Sequence, residues 1–518
     1  MKQRLTFKID PKYNEAIFAS LMVLFTLILR LSVALSSTFP LNDGGLFYRM
    51  ILDLQANHFV LPAYTTYNNA HIPFAYPPFG LYFSGLISSG FHIDLLTLAR
   101  ILPSVINAIT TGAFYFLARR ILTKQETALA ATFAFIFIPR AFEWQIVGGG
   151  VTRTFGLLFA ILTLRAAYIF YHEHEAKQCI VIACFGTLTL LSHPEAVAHT
   201  AIAAAIFYIL LDRSIRGAAF SAVTVAAILL LSAPWWAFII SQHGIDPFLA
   251  IVSAAREGTT QTLASRIFLV FQFNFTEEPF LPLISLFALI GLFAVLNKRN
   301  VLLPLWVIVP LLIEPRSAPQ YIALPLAMLA GIGLAEVLIP AIASIGQDNN
   351  PHTFNRTIGA ILLYLLIYGL ISTFVTDAQI INLTLKSEDI QAFDWIKNNL
   401  PQGSRFIILT NGGPVYDSIS EWFPALTNDT SLATVFGTEW LRNESFRQNS
   451  TRYTDLQACL FSDTTCLEDW SNKYDAPYTY VLISDQNQKW PLLTKIKTTN
   501  NYQEIYNLAD IIIFEKIP

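Results

Sequence analysis

Four short stretches carry side chains able to do chemistry, and each stands at the end of an apolar run. "LNDGGLFYRM", residues 41–50, offers a carboxylate, Asp43, followed by two glycines and an amphipathic stretch. "EWQIVGGGVTRTF" puts Gly148, Gly149 and Gly150 before a helix whose first turn holds Thr152 and Arg153. Free backbone N–H groups, a positive helix end and a guanidinium together suit a phosphate. "LSHPEAVAH" sets His193, a titratable group, beside Glu195, a pair that suits acid, base or hydroxyl-binding work. "IEPRSAPQYIALPLAMLAG" places Arg316 and Tyr321 at the mouth of a helix rich in small residues, which favours close packing.

Each stretch also has a structural reading. An Asp before a helix is a favoured N-cap, and Asp-Gly-Gly suits a turn. Arg153 could snorkel to a membrane interface. Ser192 and Glu195 fit the S-x-x-E capping box of the next helix, with Pro194 in its first turn; that accounts for Glu195 but not for His193. Glu143 reads first as the ion-pair partner of Arg140 and second as a further acid, and Glu314 as a neutraliser of Arg316. His193 and His199 are six apart and no H-E-x-x-H spacing occurs, so a zinc site is not expected. "YHEHEAKQ" (171–178) has the composition of a metal cluster but reads as a solvated helix end.

These groups need a scaffold, and the composition says which kind. Of 518 residues, 54% are hydrophobic and only 13% charged, where soluble domains carry roughly 25%. Many segments therefore have lipid as their solvent. A net charge of −3, with no basic patch among aromatics, gives no sign of a nucleic-acid partner. Apolar runs at about 16–37, 94–118, 126–142, 147–171, 178–192, 195–211, 217–240, 279–296, 301–313, 319–345 and 357–376 make about eleven candidate spans. Some, notably 178–192 and 301–313, fall short of the roughly 20 residues a bilayer helix needs. The first is expected to remain as a span, being too long for a signal-peptide core and ending in no clean cleavage site.

Basic residues orient the bundle. Lys2, Arg4, Lys8 and Lys12, then Arg119, Arg120 and Lys124, Lys177, Arg213 and Arg216, and Lys298 and Arg299 mark alternate turns as cytoplasmic. The four chemical stretches then lie outside, as does everything after about residue 377. The first outer loop, about 38–93, is far longer than the 2–8 residues usual in bundles. Its "AYPPFGLYF" suits a helix starting after Pro77 and Pro78 and lying in the interface. No internal repeat is seen, which weighs against transporter folds built from paired halves.

From Asp377 the sequence turns polar. "SEDIQAFDWIKNNLPQG" reads as a helix capped by Ser387, and "RFIILT", "YTYVLIS" and "ADIIIFEKI" read as strands. The expectation is an all-α multi-pass membrane bundle over 1–376, followed by a small α/β extracytoplasmic domain over 377–518. In that compartment Cys459 and Cys466, seven apart, would close a disulfide loop.

The pieces in this order resemble the GT-C fold of polyprenyl-phosphate-sugar-dependent glycosyltransferases, which includes oligosaccharyltransferases, protein O-mannosyltransferases and lipid A aminoarabinose transferases. The resemblance rests on Asp43 in "NDGG", on the long loop with "AYPPFGLYF" and on "EPRSAPQYIALPLAMLAG", and it covers the membrane region. "EWFPALTNDTSLATVFGTEWL" (421–441) is similar to a segment of bacterial members of the class. It implies that Asp43 is the catalytic base or orients the acceptor. It also implies that Arg316 contacts the lipid phosphate; the residues themselves offer Arg153 and Tyr321 as further phosphate contacts and Glu143, His193 and Glu195 as further catalytic candidates. Many members have two adjacent acids; here Gly44 follows Asp43, and no metal cofactor is expected. The implied partners are a polyprenyl-phosphate sugar donor, membrane lipid, and a lipid, glycan or protein acceptor at the outer face of the cell membrane. The competing readings are a transporter or flippase of lipid-linked sugars, which would need ionisable groups at mid-membrane, a non-catalytic membrane scaffold displaying the outer domain, and a ligase using a diphosphate-linked glycan.

Overall fold

The computed structural model describes residues 11–257, 264, 267–268, 275–345, 351–442, 446–484 and 489–517. Lys2, Arg4 and Lys8 lie outside the described residues. Each of the eleven apolar runs is helical, but not all are long enough to span. Among the described residues seven helices are long and apolar enough to cross a membrane. The eighth candidate is a pair, Leu283–Asn297 and Leu302–Ile313, bent by 119° at a short break. Helices Gln125–Phe137 and Gln178–Leu190 have 13 residues each, too few to span alone. The count of eleven spans is thus not reached.

Two kinds of membrane helix are present. Leu95–Ile121, Gly150–Glu173 and Ala318–Ser344 have most of their residues buried and form the centre. Glu15–Ser36 and Ile215–His243 leave Leu21, Leu24, Ile28, Leu230 and Leu231 exposed, the apolar exterior that lipid requires. Arg30, inside the first of these, is 1% exposed. It donates to the Asn107 side chain at 3.2 Å and to the Ile136 carbonyl, and lies over the Phe142 ring. It is a packing group within the bundle.

The long first loop folds into helices Gly45–Ala56 and Phe79–Phe91, the second beginning directly after Pro78. Asp53 closes the segment between them by accepting from the Thr65 and Thr66 hydroxyls at 2.7 and 2.6 Å.

The last long helix, Pro351–Asn382, runs past the boundary expected at residue 376. Beyond it a five-stranded sheet has the order β2-β1-β3-β5-β4, with β1 Arg405–Leu409, β2 Thr430–Ser431, β3 Tyr480–Ser484, β4 Tyr502–Leu508 and β5 Ile511–Lys516. β1 runs parallel to β2 and β3, while β5 pairs antiparallel with β3 and β4. Helix Ser387–Asn399 covers the sheet; its cap position is Lys386, whose N–H donates to Asp389, rather than Ser387. Cys459 and Cys466 are joined by a disulfide.

This C-terminal region is fastened to the first loop. Trp422 donates its indole N–H to the Asn42 carbonyl at 2.8 Å and meets Phe39 edge to face. Tyr67 donates its hydroxyl to the Glu421 carbonyl at 2.7 Å, and Arg49 reaches Asn428 at 2.6 Å.

Candidate active site

Asp43 does not cap the helix that follows it. Gly44 occupies the cap position and no side chain caps there. Gly44 has φ +130°, a conformation glycine alone adopts readily, and it turns the chain so that the Asp43 carboxylate faces another helix. That helix is Gly150–Glu173. Its Gly149 N–H donates to Asp43 Oδ1 at 3.0 Å, and Arg153 donates to Oδ2 at 2.6 Å. The approach needs glycine at 148, where a Cβ would stand 2.0 Å from the Asp43 carbonyl oxygen. The anion-binding helix end read from the sequence is therefore real in its chemistry, but a protein carboxylate fills it. Arg153, expected to face phosphate, is held by Asp43 and also donates to the Trp144 carbonyl at 3.4 Å.

A second carboxyl stands beside Asp43 that the sequence reading passed over. Glu421, 1% exposed, accepts the Gly44 N–H through Oε1 at 3.0 Å, while Oε2 is buried without a partner. Burial, with the Asp43 charge adding to it, pushes the Glu421 carboxyl well above the usual carboxylate range. One carboxyl is thus bound to a guanidinium, and the neighbouring Glu421 favours its proton.

Around this pair the other stretches converge. Tyr76 of the first loop puts its hydroxyl 3.3 Å from the Thr152 hydroxyl, and its ring meets His193 and Trp440 edge to face. Helix Pro194–Phe207 starts at His193 with no side-chain cap, and the Ser192 hydroxyl bonds backward to Leu188. The capping box is absent, so Glu195 is left facing the charges of Arg316, Glu314 and Arg153. His193 is buried, with Nδ1 unpartnered. Burial, then the Arg153 and Arg316 charges, lower it to about 3, which leaves a neutral imidazole: a hydrogen-bonding group rather than a proton store at neutral pH.

Glu314 does not neutralise Arg316. It bonds His199 Nε2 at 3.0 Å and the Ser317 hydroxyl and amide at 2.5 and 3.0 Å. Burial opposes its ionisation, but those hydrogen bonds prevail and hold it at about 2. Tyr321 stacks on His199 at 4.5 Å, its hydroxyl buried and unpartnered. Arg316 itself is exposed and has no carboxylate within ion-pair distance among the described residues. Its charge bears on His193, Glu195 and Glu439.

Glu143 is not brought to this group. It pairs with Arg140 at 2.9 Å, and Arg140 also binds Glu277. Among the described residues no three His, Cys, Asp or Glu side chains gather as a metal site. Glu421 and Glu439 both lie in the 421–441 segment; the only sequence signal was an acid set against tryptophan in each case, "EWF" and "EWL".

No family model matches the chain, and no curated protein matches it. Solved structures do. The archaeal oligosaccharyltransferase AglB from Archaeoglobus fulgidus, in complex with an inhibitory peptide and a dolichol-phosphate, aligns with a TM-score of 0.57 at 15% identity, over 96% of this chain and 74% of that one. ArnT from Cupriavidus metallidurans, bound to undecaprenyl phosphate, aligns with 0.54 at 11% identity over 98% of both chains. The arabinofuranosyltransferase AftD from Mycobacteria aligns with 0.53 at 13% identity, over 98% of this chain but 40% of that one. The fold of this chain is that of the GT-C membrane glycosyltransferases.

Proposed function

We propose that the chain transfers a sugar from a polyprenyl-phosphate-linked donor to a lipid, glycan or protein acceptor at the outer face of the membrane, by a single inverting displacement. One observation carries this reading: in a GT-C fold, an exposed Arg316 with no carboxylate partner among the described residues and an Arg153 that holds Asp43 both bear on His193. The bond from the anomeric carbon to phosphate breaks and its electron pair leaves on the phosphate, whose charge Arg316 meets. The acceptor oxygen bonds to the same carbon from the opposite side. Its proton goes to Asp43, or, where Asp43 only orients that oxygen, to the departing phosphate. Arg153 aims the carboxylate, and the neutral His193 and the Tyr321 hydroxyl hydrogen-bond the donor. No metal ion is invoked, because Arg153 already supplies the cation beside Asp43.

AglB and ArnT are both described with a polyprenyl phosphate bound, which supports a donor of that kind here. A flippase would place ionisable groups along a path at mid-membrane, and the Arg30 guanidinium is instead locked to Asn107 and Ile136. The test is purification of the full chain into nanodiscs, followed by mass spectrometry of retained lipid and titration with undecaprenyl phosphate. Retention, or saturable binding that Arg316→Ala weakens, is expected. Neither retention nor binding would remove the donor and the reading with it.

A further inference from the structure

A cavity of about 190 Å³ is lined by neighbours of the Asp43–Arg153 pair and by none of Arg316, His193 and Tyr321. Its walls include Asn42, Arg140, Glu143, Trp144, Glu277 and Tyr416. Asn42 directly precedes Asp43, and Trp144 receives Arg153 on its carbonyl and lies 5.5 Å from its guanidinium. The cavity therefore lies one residue along the chain from Asp43 and one contact from the Arg153 guanidinium, and Arg316, His193 and Tyr321 are not among its walls.

Its chemistry is specific. Arg140 bridges Glu143 and Glu277, so two carboxylates face one guanidinium and the walls carry net negative charge. Among the described residues Arg140 Nε is buried without a partner. Trp144 and Tyr416 form an aromatic corner, ring centroids 5.7 Å apart and tilted by 44°. Aromatic faces accept the C–H side of a sugar ring, while forked carboxylate, guanidinium and amide groups bond its hydroxyls around the edge. The negative walls disfavour a phosphate-bearing headgroup. The volume suits one ring better than a length of extended peptide.

We propose that this cavity is the acceptor subsite and that the acceptor it takes is a saccharide, neutral or amino-bearing. The inference rests on the transferase reading for the word acceptor, and on the cavity alone for the saccharide. The test uses the full chain in nanodiscs with methyl hexosides and methyl 2-amino-2-deoxyhexosides as probes, read by saturation-transfer NMR. A serine-containing peptide and glycerol phosphate are the counter-probes, and undecaprenyl phosphate binding is measured on the same samples. Tyr416→Ala and Glu277→Gln alter exposed side chains, and thermal melts check that both variants fold.

The expected result is binding of the glycosides, about tenfold weaker in Tyr416→Ala, with undecaprenyl phosphate binding unchanged. Glycosides that do not bind, or that bind the two variants as well as the parent, overturn the inference, as does preference for the peptide or glycerol phosphate. If undecaprenyl phosphate binds while the glycosides fail, the transferase reading survives alone. If the glycosides bind and the lipid phosphate does not, the saccharide subsite stands and the donor falls.

Discussion

Arg153 sits on the first turn of its helix, 2.6 Å from Asp43 and over the Trp144 ring, and is largely buried. Arg316 stands exposed in the turn before helix Ala318–Ile332, with Phe446 as its nearest aromatic neighbour and no carboxylate partner among the described residues. Both are single arginines at the mouth of the bundle, yet one corner is closed on itself and the other is open. In the closed corner the Asp43 carboxylate is held by the Arg153 guanidinium and the Gly149 N–H, and glycines at 44 and 148 allow the close approach. The open corner has its acid, Glu314, drawn off by His199 and Ser317, which leaves the guanidinium without a carboxylate partner among the described residues. A guanidinium's role is thus read from what its carboxylate neighbours are doing.

The sharpest way to break that contrast is Asp43→Asn. The amide keeps the volume but loses the ion pair and the proton acceptor, so turnover should fall by roughly 10²-fold or more while undecaprenyl phosphate still binds. Near-normal turnover would make the closed corner merely structural. Next in size is Arg316→Ala, expected to weaken donor binding or turnover by about 2–4 kcal/mol, the range for losing one partner of a desolvated charge pair. Lysine should restore little, lacking the fork. Unchanged binding and turnover would close the open corner.

A third test concerns His193, between the corners. Its folded-state value of about 3 lies below the ordinary histidine value, so below about pH 6.5 the unfolded chain binds a proton that the folded chain refuses. Stability from this group is present above that pH and is lost as pH falls toward 3, by up to about 1.4 kcal/mol per pH unit. Thermal unfolding from pH 7 to 5 should show a steeper loss in the parent than in His193→Asn; parallel curves would sink the argument. The smallest effect is expected for Glu421→Gln. Burial and Asp43 favour the protonated acid, so a neutral amide should leave turnover within about threefold. For an acid raised in this way the unfolded chain loses its proton first, and stability falls as pH rises above the ordinary carboxylate range. The Gln variant should lack that decline. A large loss of turnover would instead assign Glu421 a working negative charge.

Much of the scaffold was legible because hydrophobic runs depend only on local composition: all eleven were helical. Their number as spans was not, since a run's length does not show a 119° bend such as the one between Leu283–Asn297 and Leu302–Ile313. Asp43, Arg153 and Arg316 stood out because charge at the end of an apolar run is locally rare. Their pairing did not, because Asp43 and Arg153 are 110 residues apart and only folding joins them. Glu195 was assigned to a capping box that the Ser192 hydroxyl, bonded to Leu188, does not make. Glu421 was hidden in a region where acids are common, 377 residues beyond the Gly44 amide it receives.

That distant contact bears on how such a chain can change over generations. The amide of Gly44 and the carbonyl of Asn42 flank Asp43, and Glu421 and Trp422 hold them both. A graft that exchanged the C-terminal region for a stranger's would also release the peptide units on either side of Asp43. A recombinant that separates the two halves should be silent even with every membrane helix intact.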